Sequence, residues 1–267
     1  MIEELGRATD PTPFLATMTQ FAPLAADRFD PHRAGTAAYS GVAAHRDADG
    51  WVLDGTARHV LDGDRAEQLA VVTDAAVFVV GAGEISARRT SVFDPVLHVA
   101  DVTFAGVRVP DTVRLNVDTE RARHIALTGM ATTMVGACQR ILDLVLEHVR
   151  NRHQFGVPIG SFQAVQHKAV DMYVAVQRAR ALAYFAALTI AEDDPRRRLA
   201  AAMAKAAAGE CQSLVFRHGL QLFGAMGFTW ENDLQFALKR AKAGELMLGG
   251  AAEHRAIIAE EYRAAHL

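Results

Sequence analysis

The chain has 267 residues, 51% of them hydrophobic and 22% charged, and its formal net charge is −3. This composition is typical of a globular protein with a core of its own, and the small negative charge argues against nucleic acid or a membrane as the main partner. The N-terminus carries acidic side chains, and no apolar run is long enough to span a bilayer. We therefore expect no signal peptide, no membrane span and a cytoplasmic location.

Residues 36–117 have the character of a β domain. Short β-branched runs in "WVLDGTARHVLDGDRAEQLAVV" are interrupted by Asp-Gly pairs at 54–55 and 62–63, both typical of hairpin turns. "VLHVADVTFAGVRVP" continues the pattern as far as Pro110. About six short strands with tight turns predict a small barrel or sandwich.

Residues 118–267 have a helical period instead. Apolar residues recur every three or four positions in "IALTGMATTMVGACQRILDLV", which predicts a long first helix. Ser161 is the expected N-cap of a second helix, and Asp194 followed by Pro195 is the expected start of a third. Further helical segments follow near 234–244 and 246–264. This pattern predicts an antiparallel bundle of long helices. Ahead of the β domain, residues 1–35 are too few to form another domain.

Motifs for other chemistries are weak. "GAGEIS" at 81–86 lacks the third glycine of a dinucleotide fingerprint, and a hairpin turn is the better interpretation. The histidines form no cluster with metal-ligand spacing, so no metal site is predicted. Cys138 and Cys211 are expected to be buried free thiols. Arg150 and Arg152 fit two interpretations, solvated charges at a helix end or ligands of an anion.

Four segments, in order along the chain, resemble the acyl-CoA dehydrogenase family. "RNRHQFGVPIGSFQAVQHKAVDM" is similar to the family's Arg-x-x-Phe-Gly corner and the helix that follows it with a glutamine in its first turn. "AAMAKAAAGECQSLVFRHGLQLFGAMGFTWE" is similar to its Met-Ala-Lys helix and Gln-x-x-Gly-Gly-x-Gly-Phe/Tyr segment. "DGWVLDGTARHVLDGDRAEQLAVV" and "VTFAGVRVP" resemble its β domain. The resemblance extends from Gly35 onward.

The resemblance implies an α+β fold with a short N-terminal segment, a central β-barrel and a C-terminal antiparallel four-helix bundle. The family's helical N-terminal domain would be largely missing. FAD would be shared with a partner subunit, since the family binds the flavin between subunits. Arg152 would pair with the pyrophosphate, and Gln163 would lie where a helix N-terminus favours phosphate. The residues expected at the nucleotide end of this site are Arg152, Phe155, Gln163, Gln221 and Gly224.

The family's catalytic base is absent from both positions where members carry it. Many members have Glu-Gly-Thr on the last bundle turn, which corresponds here to Leu248–Gly250, and others use a position that corresponds to Ala126. Neither aliphatic side chain accepts a proton. Glu245 and Glu253 are the nearest carboxylates in the sequence, and helical geometry points neither of them where Leu248 points.

The family's flavin-ring contacts are also missing. His59–Gly63 corresponds to the family's Trp-Ile-Thr-Asn-Gly strand, so Leu61 replaces a threonine that hydrogen-bonds the flavin ring. The family's Glu-Pro-x-x-Gly-Ser segment is not recognisable in "TAAYSGVAAH". Lys239 and Arg240 replace an Arg-Asp pair. The losses therefore concern the ring and the base, whereas the residues offered to a neighbour's nucleotide are kept.

Three functions remain open at this point. The first is a base-lacking subunit of a heteromeric (α2β2) FAD-dependent acyl-CoA dehydrogenase, whose partner is a catalytic subunit and whose acyl-CoA substrate carries a bulky, steroid-like acyl group. The second is an active homo-oligomer with Glu245 or Glu253 as a relocated base. The third is a flavin-free binding or scaffold protein on the same fold. We favour the first, in which no residue of this chain is catalytic.

Overall fold

The structure, a computed structural model, describes residues 1–264. The chain forms two compact units: one contains Met1–Asp10 together with the chain from Leu127 onward, and the other contains Pro11–Ala126. The first unit is helical and the second is built on two β-sheets, so the predicted α+β class is confirmed. The boundary between the units falls inside the first long helix.

Eight α-helices are present in the described residues. They are α1 Ile2–Arg7, α2 Phe14–Ala16, α3 Ala22–Ala25, α4 Thr119–Asn151, α5 Gln163–Ala191, α6 Arg197–Phe223, α7 Leu234–Leu246 and α8 Ala251–Ala264. A π-helical turn at Thr17–Phe21 joins α2 to α3. The five helices predicted from the periodicity correspond to α4 through α8.

The predicted starts of α5 and α6 are wrong by one or two residues. Phe162, not Ser161, precedes the first residue of α5, and the Ser161 hydroxyl donates instead to a carbonyl three residues earlier at 2.7 Å. α6 begins at Arg197, because the Asp194 carboxylate accepts a backbone N–H at 2.8 Å in a separate turn. A local side-chain bond of this kind is found in turns as well as in helix caps.

The core of the helical unit lies between α4, α5, α6 and α7. Buried apolar side chains from all four helices pack in one cluster, represented by Ile141, Met172, Val215 and Leu238. Within the described residues, α4 is the one helix long and apolar enough to cross a membrane, but 78% of its apolar segment is buried inside the protein. Four helices thus share one core, and their arrangement as an antiparallel four-helix bundle stays a prediction.

Two four-stranded sheets form the β unit, and a two-stranded hairpin lies in the helical unit. The strands are β1 Gly35–Ala38, β2 Val42–Asp47, β3 Gly50–Leu61, β4 Gln68–Val72, β5 Val77–Gly81, β6 Ser86–Arg89, β7 Val99–Val109, β8 Arg114–Leu115, β9 His153–Gln154 and β10 Val157–Pro158. The first sheet has the order β1-β4-β5-β8, with β1 parallel to β4, and the second, antiparallel sheet has the order β2-β3-β7-β6.

The two sheets of the β unit share one core. Leu53 and Phe104 from the second sheet and Leu69 and Phe78 from the first are buried in the same cluster. The rings of Trp51 and Phe78 lie 5.4 Å apart. Two sheets packed on a common core match the sandwich alternative of the sequence prediction, and a closed barrel stays a prediction.

All three predicted hairpin turns are wrong. Asp62 and Gly63 follow β3 of the second sheet, and the next strand, β4, belongs to the first sheet, so these two strands do not pair. Asp54 and Gly55 lie inside β3, where Gly55 has a φ of 134° and an added Cβ would lie 2.3 Å from the carbonyl oxygen of Gly41. This glycine is required by the close approach of two strands at a bulge. The hairpin turn predicted at 81–86 is a 3₁₀ turn at Ala82–Glu84, which carries the chain from the first sheet to the second.

Candidate functional site

Phe155 and Gly156 form the tip of the β9–β10 hairpin, directly after α4. Gln154 faces Val157 across the tip. The φ angles are 54° at Phe155 and 80° at Gly156, the combination that a two-residue type I′ turn requires. Phenylalanine rarely adopts a positive φ, so this turn holds the ring at a conformational cost. The Phe155 side chain is 92% exposed, and its ring meets Phe162 edge-on at 6.2 Å.

The hairpin, the start of α5 and the end of α6 lie at one end of the helical unit. The imidazole of His148, in the last turn of α4, stacks on the ring of Phe223 at 4.3 Å. Gln221 is exposed in the last turn of α6, and Gly224 ends that helix with a φ of 61°. Gln163 is the exposed first residue of α5. The predicted nucleotide-contacting residues therefore share one end of this unit.

Arg152 fixes the base of the hairpin through its backbone while its side chain is exposed. Its N–H donates to the carbonyl of His148, and its own carbonyl accepts the N–H of Ile159, both at 2.8 Å. Burial and, to a smaller extent, the charge of Arg152 lower the pKa of His148. His148 is therefore biased toward its neutral form, and Arg152 provides the positive charge here.

Basic side chains near this end lack carboxylate partners. Elsewhere in the helical unit several arginines bind carboxylates; Arg178 and Arg255, for example, share Glu210, each at 3.0 Å. Among the described residues, no ion pair is formed by four basic side chains near the end of α4, the start of α5 and the end of α6: Arg150, Arg152, Lys168 and Arg217. An uncompensated basic surface favours an anionic ligand or partner.

An exposed aromatic loop after α6 belongs to the same end and is not predicted by the sequence pattern. Phe228 is 75% exposed and Trp230 is 77% exposed. The ammonium group of Lys239 lies 4.1 Å from the centre of the Trp230 ring, a cation–π contact. Large exposed aromatic side chains are enriched in protein interfaces. The sequence feature that could have indicated this loop is "GFTW", where two aromatic residues follow a glycine.

The Leu248–Gly250 segment joins α7 to α8 through a left-handed turn. The φ angles are 57° at Leu248 and 92° at Gly249. Lys205 donates to the carbonyl of Gly249 at 2.7 Å, and His254 donates to the carbonyl of Leu248 at 3.0 Å. The Lys205 side chain is fully buried, and burial lowers its pKa to about 8 against the opposing effect of two nearby carboxylates. Two buried side chains from α6 and α8 therefore fix the segment that carries Leu248.

The Glu245 carboxylate is part of the framework of this turn. One of its oxygens accepts the backbone N–H of Ala251, the first residue of α8, at 3.0 Å. The other oxygen is buried without a hydrogen-bond partner among the described residues. It lies against Gly209 of α6, where an added Cβ would come within 2.1 Å of it. This carboxylate caps α8, and its second oxygen is buried against α6.

Glu253 has a similar structural use. Its carboxylate accepts the backbone N–H of Gly250 at 3.2 Å, three residues earlier, and the carbonyl of Gly250 accepts the first helical hydrogen bond, from the N–H of His254, at 3.2 Å. A glutamate at the third helical position that reaches back to the N-cap residue forms half of a capping box. Both carboxylates nearest to Leu248 thus stabilise the start of α8.

Two further positions that depart from the family pattern are buried. Ala126 is fully buried in α4, and Leu61 is buried at the end of β3. Asp62 follows Leu61 and pairs with Arg65 at 2.6 Å. Burial raises the pKa of Asp62, and the charge of Arg65 opposes that shift. An ion pair with a buried carboxylate therefore occupies the segment that corresponds to the family's flavin-contacting strand.

The comparisons with known proteins extend over nearly the whole chain. A sequence model described as acyl-CoA dehydrogenase, C-terminal domain, matches residues 119–262. The acyl-CoA dehydrogenase IpdE2 of Mycobacterium tuberculosis is 32% identical over 249 residues, which cover 93% of this chain and 72% of that protein.

Two solved structures of paired proteins are similar to this chain. The ChsE4–ChsE5 complex of Mycobacterium tuberculosis matches with a TM-score of 0.91 and 25% identity, covering 98% of this chain and 79% of the solved chain. The Tcur3481–Tcur3483 steroid ACAD variant matches with a TM-score of 0.87 and 25% identity, covering 99% and 80%. The fold, the family model and the identity to IpdE2 agree, and the chain belongs to the acyl-CoA dehydrogenase family.

Proposed function

We propose that this chain is the non-catalytic subunit of a heteromeric, FAD-dependent acyl-CoA dehydrogenase that desaturates acyl-CoA thioesters between the α and β carbons in the cytoplasm. The observation that carries the proposal is the Leu248 turn. An aliphatic residue stands at the base position, and both neighbouring carboxylates, Glu245 and Glu253, are hydrogen-bonded to the start of α8. A partner subunit would then supply the proton acceptor.

The exposed end of the helical unit fits the nucleotide part of FAD. Arg152 has no carboxylate partner within residues 1–264 and would bind the pyrophosphate, for which a guanidinium is suited because it donates in a planar fork. Gln163 lies at a helix N-terminus, which favours anions. Phe155, Gln221 and Gly224 are exposed beside these groups and would contact the adenosine.

The ring end of the flavin is better matched to the partner. In this chain Leu61 is aliphatic, and the Asp62 carboxylate is already paired with Arg65. FAD, when bound, would accept the hydride that leaves the β carbon of the thioester. We therefore propose that the partner binds the flavin ring and the acyl group, and that this chain binds the nucleotide part of FAD and excludes water from it.

Two similar solved structures support a paired assembly and a bulky substrate. The ChsE4–ChsE5 complex and the Tcur3481–Tcur3483 steroid ACAD each contain two different gene products. We infer a similar catalytic partner for this chain, in an α2β2 assembly that shares FAD, and a steroid-derived acyl-CoA as substrate.

The experiment compares the purified chain with the chain co-expressed with its catalytic partner. We expect flavin absorbance and acyl-CoA oxidation only in the complex. Arg152→Ala should lower the FAD content of the complex, whereas Arg198→Ala, which removes an exposed arginine paired with Glu261, should not. A yellow isolated chain that oxidises an acyl-CoA would contradict the proposal and favour an active homo-oligomer. Unchanged FAD content in Arg152→Ala would favour a scaffold without a flavin role.

A further inference from the structure

Two cations from different helices lie beside one imidazole where the start of α5 meets the end of α6. The charges of Lys168 in α5 and Arg217 in α6 both act on the imidazole of His218. The same two helices are joined by the ion pair of Arg178 with Glu210, at 3.0 Å. Lys168 lies nearer the start of α5 than this ion pair, and His218 lies nearer the end of α6. The contact between α5 and α6 therefore continues to this end and brings the two cations together.

The two cations are not compensated by carboxylates. Within residues 1–264, neither Lys168 nor Arg217 forms an ion pair. Asp171 is the carboxylate whose charge acts on His218; its side chain is exposed and makes no ion pair with either cation. Two positive charges therefore lie beside one negative charge. An excess of positive charge favours an anionic ligand.

The imidazole of His218 has one nitrogen inside the protein and one on its accessible side. Nδ1 is buried and has no hydrogen-bond partner among the described residues, whereas the ring as a whole is half-buried. Burial lowers the pKa of His218, the charges of Lys168 and Arg217 lower it further, and Asp171 opposes the shift. The neutral ring is therefore favoured. Its hydrogen belongs on Nε2, because a buried N–H group without an acceptor is unfavourable.

These groups form a set of three hydrogen-bond donors. We propose that Lys168, Arg217 and His218 form a binding site for a phosphate group. The ammonium group supplies a compact charge, the guanidinium a planar fork, and Nε2 of the imidazole one further N–H. A phosphate group offers three acceptor oxygens, whereas a carboxylate offers two. A phosphate group therefore matches three donor groups better than a carboxylate does.

This site is separate from the pyrophosphate site proposed at Arg152. The charge that acts on His148 is that of Arg152, whereas three other charged groups act on His218. The two imidazoles therefore have different ionic neighbours. The phosphate site does not rest on the proposed function, since it requires neither FAD nor a partner subunit.

The experiment is calorimetric titration of the purified chain with inorganic phosphate and, separately, with ADP. Lys168→Ala and Arg217→Ala should each weaken the binding of both probes about tenfold or more, because each change removes charge-assisted hydrogen bonds. Arg178→Ala is the matched control, since it removes an exposed arginine that already binds Glu210, and it should bind like wild type. Tighter binding of ADP than of phosphate would identify a nucleotide as the source of the phosphate group, and equal binding would identify free phosphate.

Proton nuclear magnetic resonance gives a second readout at constant pH. The imidazole signal of His218, identified by its absence in His218→Gln, should move when phosphate is added. The signal of His32, an exposed histidine of the β unit, should stay in place. A wild-type chain that binds neither probe would overturn the inference. Wild-type affinity in both Lys168→Ala and Arg217→Ala would also overturn it.

Arg152→Ala separates this inference from the proposed function. It should leave the affinity of the chain for phosphate at the new site unchanged, while it lowers the FAD content of the complex. Unchanged FAD content in the Arg152→Ala complex, together with phosphate binding that is lost in Arg217→Ala, would count against the proposed function and support the phosphate site.

Discussion

The carboxylate of Glu245 accepts a hydrogen bond from the backbone N–H of Ala251 at 3.0 Å and so caps the N-terminus of α8. Glu245 is the acidic side chain nearest in sequence to Leu248 on its N-terminal side, and it lies at the end of α7. Because its role is to start a helix, the turn that carries Leu248 has a stable conformation without a catalytic carboxylate.

Substitution of Glu245 should affect stability and not turnover. Glu245→Gln keeps an oxygen acceptor for the Ala251 N–H, whereas Glu245→Ala removes it and should lower the free energy of unfolding by about 1 kcal/mol. Urea unfolding of the chain and acyl-CoA oxidation by the complex measure the two effects. If Glu245→Gln abolished turnover while the protein stayed folded, Glu245 would be the relocated base.

Gly209→Ala should be destabilising because the new Cβ would crowd two residues, Glu245 and Ala251. The new Cβ would lie 2.1 Å from the buried oxygen of Glu245, and overpacking of this kind costs about 1–3 kcal/mol. The double variant Gly209→Ala/Glu245→Ala should be less destabilised than the sum of the single variants, since the second change removes the contact with the carboxylate and leaves only the 2.9 Å contact with the Cβ of Ala251. Additive unfolding free energies would show that the two sites do not interact.

Lys205 should make stability depend on alkaline pH. Burial lowers its pKa in the folded state from 10.5 to about 8. Between pH 8 and pH 10.5 the unfolded chain binds more protons than the folded chain. The buried ammonium therefore lowers the free energy of unfolding below pH 8, and this destabilisation is lost as the pH rises through that window.

The free energy of unfolding of the wild type should therefore rise with pH in this window relative to Lys205→Met. The rise should be about 3 kcal/mol, at about 1.36 kcal/mol per pKa unit. Urea unfolding at several pH values measures the difference, and Lys242→Met controls for general effects of removing a lysine. If the free energies of unfolding of wild type and Lys205→Met differed by the same amount at every pH, this account of the buried ammonium would be refuted.

Phe155→Gly should stabilise the isolated chain and weaken the complex. Phe155 has a φ of 54° and is 92% exposed, so glycine relieves backbone strain of about 1 kcal/mol with little loss of packing. The same change removes a ring proposed to contact adenosine, so FAD retention in the complex should fall. Phe93→Gly, at a half-exposed phenylalanine without a positive φ, should show neither effect. Lower stability with unchanged FAD retention would assign Phe155 a purely structural role.

Periodicity was sufficient to predict α4 through α8, because the apolar positions that fill the core repeat every three or four residues. Local turn signals were less informative. Asp54 and Gly55 have the composition of a hairpin turn, yet the glycine serves a close strand approach inside β3. Asp194 has the composition of a helix cap but bonds in its own turn. Short polar motifs stabilise several backbone conformations, and the neighbouring strand or helix selects among them.

For the candidate site, the sequence by itself determined which chemical groups are present: an aliphatic residue at Leu248, and Arg152 and Phe155 at a helix corner. Only the tertiary structure decided their surroundings. It directed the carboxylates of Glu245 and Glu253 to the start of α8. In the part of the chain that the structure describes, it left the basic groups near the ends of α4 and α6 and the start of α5 without carboxylate partners. The physical reason is that hydrogen bonding and burial depend on neighbours distant in the chain, whereas side-chain identity does not.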